Sequence, residues 1–449
     1  MKSLRNVTAG WILAFGMLAP LLGFGQEAQY ILHELEVLSD GLLRDAVTQY
    51  TNGNYWRCAR DLVVLVDFHP GYSKLDQAEV LLGNALYELG LFDASKGIFK
   101  HALKRFPNRV SAAAAIFGLE RVAYKTGDYT GALARFEQLE RSGRASKKLL
   151  NGARYFAGLS LMELGDYDSA VNTLGRISRN SSYFGYALYS AGLCLLHKRD
   201  VQKALEVFER LSQLPLVDEL DRAVVGEGRL TLGYIYYELG YYDRAVDRFK
   251  SVFPDHAKRE DALLGMAWAG YKGGRYEVAV NACTDLVTEF PDTKNMEEAL
   301  FVLGRSLVEL GRYDDAIRVF DHLIDLAPPA NQKIGRSARA RLVKLEGELE
   351  KLRLNLLVLE SRILQILPTG GAEDTPSFLK KRLAKVQKQR GQLLDRVREE
   401  REAIASLRDE IQTLREEFER RENAPNWRAY AEYSRARAIY LRKVKQARR

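Results

Sequence analysis

Gly240-Tyr241-Tyr242-Asp243-Arg244-Ala245 is the stretch from which the rest of the chain can be read. It places a glycine, one residue, an aromatic, two residues and then a small residue, and this phrase recurs. Gly90-Leu91-Phe92-Asp93-Ala94-Ser95, Gly127-Asp128-Tyr129-Thr130-Gly131-Ala132 and Gly165-Asp166-Tyr167-Asp168-Ser169-Ala170 precede it. Gly274-Arg275-Tyr276-Glu277-Val278-Ala279 and Gly311-Arg312-Tyr313-Asp314-Asp315-Ala316 follow it, and looser copies stand at Gly53-Asn54-Tyr55 and Arg199-Asp200-Val201-Gln202-Lys203-Ala204. The anchors at 53, 90, 127, 165, 199, 240, 274 and 311 are 37, 37, 38, 34, 41, 34 and 37 residues apart. Eight units therefore share one period.

Each phrase reads as the turn of a helical hairpin. Glycine ends the first helix because it alone takes the left-handed closing conformation without a Cβ clash. The aromatic packs over the turn, and the small residue lets the second helix approach the first. A large apolar residue follows four places later, at Phe99, Phe136, Leu174, Phe208, Phe249 and Phe320, and several units close on a proline (Pro70, Pro107, Pro254, Pro291, Pro328) that stops the second helix. Apolar residues spaced by three and four, such as Leu232, Ile235, Tyr236 and Leu239, give each helix one buried stripe. A single hairpin cannot bury that stripe alone, so the units stack into a superhelix.

The pattern resembles the tetratricopeptide repeat family over residues 40 to 330, with the full phrase in six of eight units. The period is longer than the family's usual ~34 and is similar to repeats of bacterial periplasmic members. Arg199 stands where glycine is usual, and Pro215–Gly228 reads as an insertion. The resemblance implies a concave groove lined by the first helices, with Asn84, Tyr87, Tyr124, Tyr155, Tyr189, Tyr234, Tyr237, Trp268, Tyr271, Phe301 and Arg305 facing it. The last three units, contributing Tyr234, Tyr237, Trp268, Tyr271, Phe301 and Arg305, are the most aromatic and form the candidate protein-binding site; ordinary repeat packing is the competing role for the same rings. The family's basic clamp for a C-terminal carboxylate is not matched, since Arg305 stands alone. Glu88, Glu163, Glu238 and Glu309 each precede Leu-Gly and read either as an acidic ladder or as solvated positions.

Past Pro328-Pro329 the period changes. Leu342, Leu345, Leu349, Leu352, Leu356, Leu359, Ile363 and Ile366 make a heptad seam, which resumes after a loop at 367–377 with Leu379, Leu383, Val386, Leu393, Val397, Ile404, Leu407, Ile411, Leu414 and Phe418. The first arm is about 43 Å long at the helical rise, and the loop spans at most about 40 Å, which favours an antiparallel hairpin over a parallel pair within the chain. A coiled coil joining two chains in a homodimer is the competitor. After Asn423-Ala424-Pro425, the segment from Trp427 to Arg449 carries Arg428, Arg435, Arg437, Arg442, Lys443, Lys445, Arg448 and Arg449 against Glu432. Arg435, Arg437, Arg442, Lys443 and Lys445 are the candidates for an anionic partner such as a membrane surface; a helix docked on the repeats by its aromatic face is the alternative.

At the other end, Lys2 and Arg5 precede an apolar run from Ala9 to Gly25. Small residues then stand before Gln26-Glu27, the order of a secretory signal cleaved after Gly25, with an uncleaved anchor as the competitor. The expected organisation is all-α: a signal at 1–25, a superhelix of about eight repeats at 26–330, a coiled-coil hairpin at 331–422 and a basic aromatic tail at 423–449.

Nothing in the sequence assembles a catalytic site. The histidines are scattered, the three cysteines are widely spaced, and no nucleotide, metal or nucleophile motif occurs, so no cofactor, metal or enzymatic activity is expected. The leading expectation is an exported, periplasmic scaffold that binds a protein segment in its groove and a second protein of the cell envelope through the coiled coil. Two others stand beside it: a surface tether whose tail binds anionic lipid or lipopolysaccharide, and an accessory subunit of an envelope secretion, assembly or division machine. Nucleic acid is not an expected partner. The net charge of +8 divides unevenly, at −4 before residue 333 and +12 from there on, so it bears on the partner of one end.

Overall fold

The computed structural model describes residues 25–216, 219–293, 295–326, 336–365, 392, 395–415 and 426–447. The expected signal up to residue 24, the loop at 367–377, the seam positions Leu379, Leu383, Val386, Leu393 and Phe418, and the break at 423–425 lie outside these residues.

Every anchor of the repeated phrase closes a helix. Gly53, Gly90, Gly127, Gly165, Gly240, Gly274 and Gly311 take φ between 73° and 80°, and Arg199 takes φ 60°, the sole non-glycine with positive φ among the described residues. Sixteen helices pair across these turns: α1 (Gly25–Thr51) with α2 (Tyr55–Phe68), α3 (Leu75–Glu88) with α4 (Phe92–Arg105), and α5 (Ser111–Lys125) with α6 (Tyr129–Ser142). Then come α7 (Lys147–Glu163) with α8 (Tyr167–Gly175), α9 (Phe184–His197) with α10 (Val201–Ser212), and α11 (Glu219–Glu238) with α12 (Tyr242–Lys250). The last pairs are α13 (Arg259–Lys272) with α14 (Tyr276–Glu289) and α15 (Met296–Glu309) with α16 (Tyr313–Leu326). Where the phrase carries aspartate after its anchor, that side chain caps the second helix: Asp128, Asp166 and Asp200 accept from the backbone N–H of Gly131, Ser169 and Lys203.

The chain forms two compact units. One runs to Ser146 and takes in Val343–Glu410; the other comprises Lys147–Leu342 and Ile411–Arg449. The first holds three hairpins and the second five.

Within each unit the first helices pack on one another, α3 on α5 in one and α9, α11, α13 and α15 in succession in the other. The residue four places past the small one explains how. Phe249 of α12 is 1% exposed and inserts between two first helices, where a Cβ built on Gly233 or Gly265 would come within 2.5 or 2.6 Å of its ring. Phe99 does the same between Gly83 and Gly118. A ring buried in this way contributes roughly 1.5–3 kcal/mol.

The residues read as an insertion at 215–228 largely extend a helix. From Glu219 they join α11, which has 20 residues where α9, α13 and α15 have 14. Gly226 and Gly228 allow this, because side chains there would collide with His256 and Leu211.

Among the described residues, three further helical segments follow the repeats. Leu349, Leu352 and Leu356 of α17 (Arg336–Gln365) share one apolar cluster with Val397 and Ile404 of the helical residues 395–415, and with Trp56 of α2. The last helix, α18 (Trp427–Ala447), packs on α16 and less extensively on α15. That is the order in which α13 packs on α12 and α11, so α18 takes the place of a ninth first helix.

Candidate protein-binding site

In the second unit the first helices α11, α13 and α15 lie side by side; Tyr234, Trp268 and Arg305 stand six residues before their anchors and Tyr237 and Tyr271 three, whereas Phe301 stands ten before its own. Their side chains link one helix to the next. Tyr234 is 43% exposed, stacks edge-on against Phe249 and donates its hydroxyl to the Asp261 carbonyl at 3.4 Å. Trp268 donates its indole N–H to Glu298 at 2.7 Å, and Arg305 donates to the Tyr271 hydroxyl at 2.6 Å while lying over the Tyr271 and Phe301 rings. Tyr237 is half-buried against Tyr242, the aromatic of its own turn. The face is therefore organised by the repeat packing, and Tyr234 remains its most exposed ring among the predicted residues.

The hydroxyl of Tyr234 is pushed up to about 12, first by burial and then by the carboxylates of Asp261, Glu298 and Glu227. Tyr237 is raised too, by burial first. Neither phenol acts as an acid near neutrality.

Phe301 is in a different position. Trp427 and Tyr430 of α18 pack against it at a tilt, with ring centroids 5.3 and 6.0 Å away. The tail thus covers the end of the aromatic row.

The tail docks through small residues. Ala431, Ser434 and Ala438 are buried at three- and four-residue spacing, and the two alanines share a core with Phe320, where bulkier groups would hold the helices apart. The predicted tail cations flank this stripe: Arg435 pairs with Asp321 at 2.5 Å, Arg442 with Asp314 at 2.7 Å and Arg437 with Glu309 at 4.0 Å. Lys445 donates to the Gly311 carbonyl at 3.3 Å and lies over the Tyr313 ring, whereas Lys443 is exposed. Tyr433 and Tyr440 are 71% and 66% exposed on the outer side of the helix. The sequence signal for this docking was Ala431-Ser434-Ala438, which the surrounding charges obscure.

The acidic residues before the turns divide. Glu88 pairs with Arg121 at 2.7 Å, and Arg121 lies 3.8 Å over the Tyr87 ring, while Glu163 and Glu238 are exposed. No group of three His, Cys, Asp or Glu among the described residues is placed to hold a metal. Cys58, Cys194 and Cys283 are buried, and burial pushes their thiols up to about 12, 11 and 12, which disfavours the thiolate a nucleophile needs.

Comparison with known proteins agrees with the repeat geometry. Sequence profiles described as tetratricopeptide repeat match residues 80–147, 155–215 and 230–293, and a second of the same description matches 299–334, together just over half of the chain. No curated protein matches. Among solved structures, the chain is similar to the pilF protein of Pseudomonas aeruginosa (19% identity, 50% of this chain and 95% of that one, TM-score 0.39). It is likewise similar to a tetratricopeptide repeat protein from Parabacteroides merdae (15% identity, 60% and 98%, TM-score 0.39) and to apo RapI (12% identity, 82% and 99%, TM-score 0.49). With eight glycine- or arginine-closed hairpins and matches to the family's profiles, the chain belongs to the tetratricopeptide repeat family, whose repeats are non-catalytic scaffolds for protein–protein interaction.

Proposed function

We propose that the protein is an exported scaffold of the bacterial cell envelope that holds a segment of a partner protein against the first-helix face of its second unit. The observation that carries this is the row of Tyr234, Trp268 and Tyr271 on adjacent first helices, with Tyr234 exposed at its near end and α18 closing the far end over Phe301. Aromatic rings in such a setting commonly supply the binding hot spots of an interface. The leader read from residues 1–25 supports export, and the coiled-coil hairpin read from the heptads at 331–422 would offer a second surface to another envelope protein. Replacing Tyr234, Trp268 and Tyr271 with Ala should abolish capture of the partner by the purified mature chain while leaving its helical circular dichroism intact. Unchanged capture rejects the site, and recovery of the mature chain in the cytoplasmic fraction rejects export.

A second reading, a tether to anionic lipid, draws on Lys443, Tyr433 and Tyr440, which are exposed on the outer side of α18. Salt-sensitive binding to vesicles containing anionic lipid, lost on Lys443→Glu, supports it; binding that ignores both salt and that substitution rejects it.

A further inference from the structure

The face just described carries a charge pattern that the turn phrase does not explain. Thirteen residues before the anchors at 240, 274 and 311 stand Glu227, Asp261 and Glu298, one carboxylate per hairpin at a single register. The Tyr234 hydroxyl donates to the Asp261 carbonyl at 3.4 Å and the Trp268 indole to Glu298 at 2.7 Å, so row and rings adjoin. Asp261 and Glu298 fall in the first turns of α13 and α15, where an acid is favoured by the helix dipole. Glu227 lies well inside α11, beyond the reach of that effect. Lys258 pairs with Glu227 at 2.9 Å, and Glu298 accepts from Trp268. Among the described residues, three carboxylates thus stand with one lysine ammonium beside two aromatic rings, while the Arg305 guanidinium farther along the row is engaged with Tyr271.

We infer that the occupant of this face is a cationic peptide segment of a partner protein, its arginine or lysine side chains laid across Tyr234 and Trp268 and paired with Asp261 and Glu298. Rings of this kind attract cations through their quadrupoles, and the carboxylate row adds a directional charge that excludes acidic segments. The inference rests on the first-helix face being a protein-binding site, and it adds the sign of the partner.

A random dodecapeptide display library selected on the full mature chain tests it. Binders enriched in Arg and Lys are expected, and a purified, labelled binder should lose about tenfold in affinity on the double substitution Asp261→Asn/Glu298→Gln. It should also weaken as salt is raised. Binders that are neutral or acidic, yet are lost on Tyr234→Ala/Trp268→Ala, overturn the cationic partner and leave the site standing. Binders indifferent to Tyr234→Ala/Trp268→Ala, or no enrichment at all, overturn both.

Discussion

The hairpins α11/α12 and α5/α6 carry the same turn phrase, yet they solve its packing problem differently. Seven residues before the anchor, α11 has Gly233, and Phe249 fills the space its missing side chain leaves. At the corresponding place α5 has Glu120, fully buried, with neither carboxylate oxygen hydrogen-bonded, and the equivalent ring, Phe136, is 8% exposed against 1% for Phe249. Gly83, Gly158, Gly192 and Gly304 occupy this register in other hairpins, Ala46 and Ala267 in two more. Glycine leaves the room in which a ring seats fully; glutamate at the same register buries a carboxyl with no hydrogen-bond partner. One register therefore separates a well-packed hairpin from a poorly satisfied one while the turn remains the same.

That contrast can be broken by substitution. Phe249→Ala should cost about 3–5 kcal/mol, because the ring fits between two helices that cannot close over the void. Phe136→Ala should cost clearly less. Equal losses in urea unfolding followed by circular dichroism would show that Glu120 does not disturb its hairpin.

Glu120→Ala should stabilise the first unit by about 1–3 kcal/mol at neutral pH by removing an unpaired buried polar group. Burial pushes the Glu120 carboxyl well above its ordinary value, with no charged neighbour contributing. The folded chain therefore holds this proton more tightly than the unfolded chain. The stability that follows is fully present below the ordinary carboxylate pKa and is lost as pH rises through the raised folded value. The gap in urea midpoint between Glu120→Ala and the natural chain should widen with pH over that window. A gap independent of pH contradicts a neutral, buried acid.

Arg199 offers a smaller comparison, between one turn and its seven glycine counterparts. With φ 60°, the arginine bears a conformational cost that glycine does not. Arg199→Gly should stabilise by about 0.5–1 kcal/mol, the strain relieved being partly offset by a more flexible unfolded chain. The smallest effect belongs to the surface pairs of α18: Arg435→Ala and Arg442→Ala should each cost about 0–1 kcal/mol, less in high salt. Losses well above that would mean the ion pairs, rather than Ala431, Ser434 and Ala438, hold the tail.

The repeated glycine phrase made the fold legible, since the left-handed turn dictates residue type and recurs eight times; even its exception, Arg199, keeps the turn. The helical register before the turn was harder to read. Glu120 looks like an ordinary polar residue until the glycines seven places before other anchors are aligned with it, and Glu227, Asp261 and Glu298 share a register that no single hairpin reveals. The aromatic row was legible as residue types, but its end was not, because contact between Phe301 and Trp427 spans more than a hundred residues. In the tail, charge drew attention to the flanks of a helix whose docking depends on its alanines.

The central claim is that Tyr234 lies on an open protein-binding face whereas Phe301 is covered by the chain's own tail. Placing a photo-crosslinking phenylalanine analogue at position 234, at 301, or at the exposed turn position 241 in cells making the full chain tests it directly. The account predicts a discrete adduct with a second protein from position 234, an adduct to residues 427–430 of the same chain from 301, and none from 241. A partner adduct from 301 or 241 but not from 234 would contradict it.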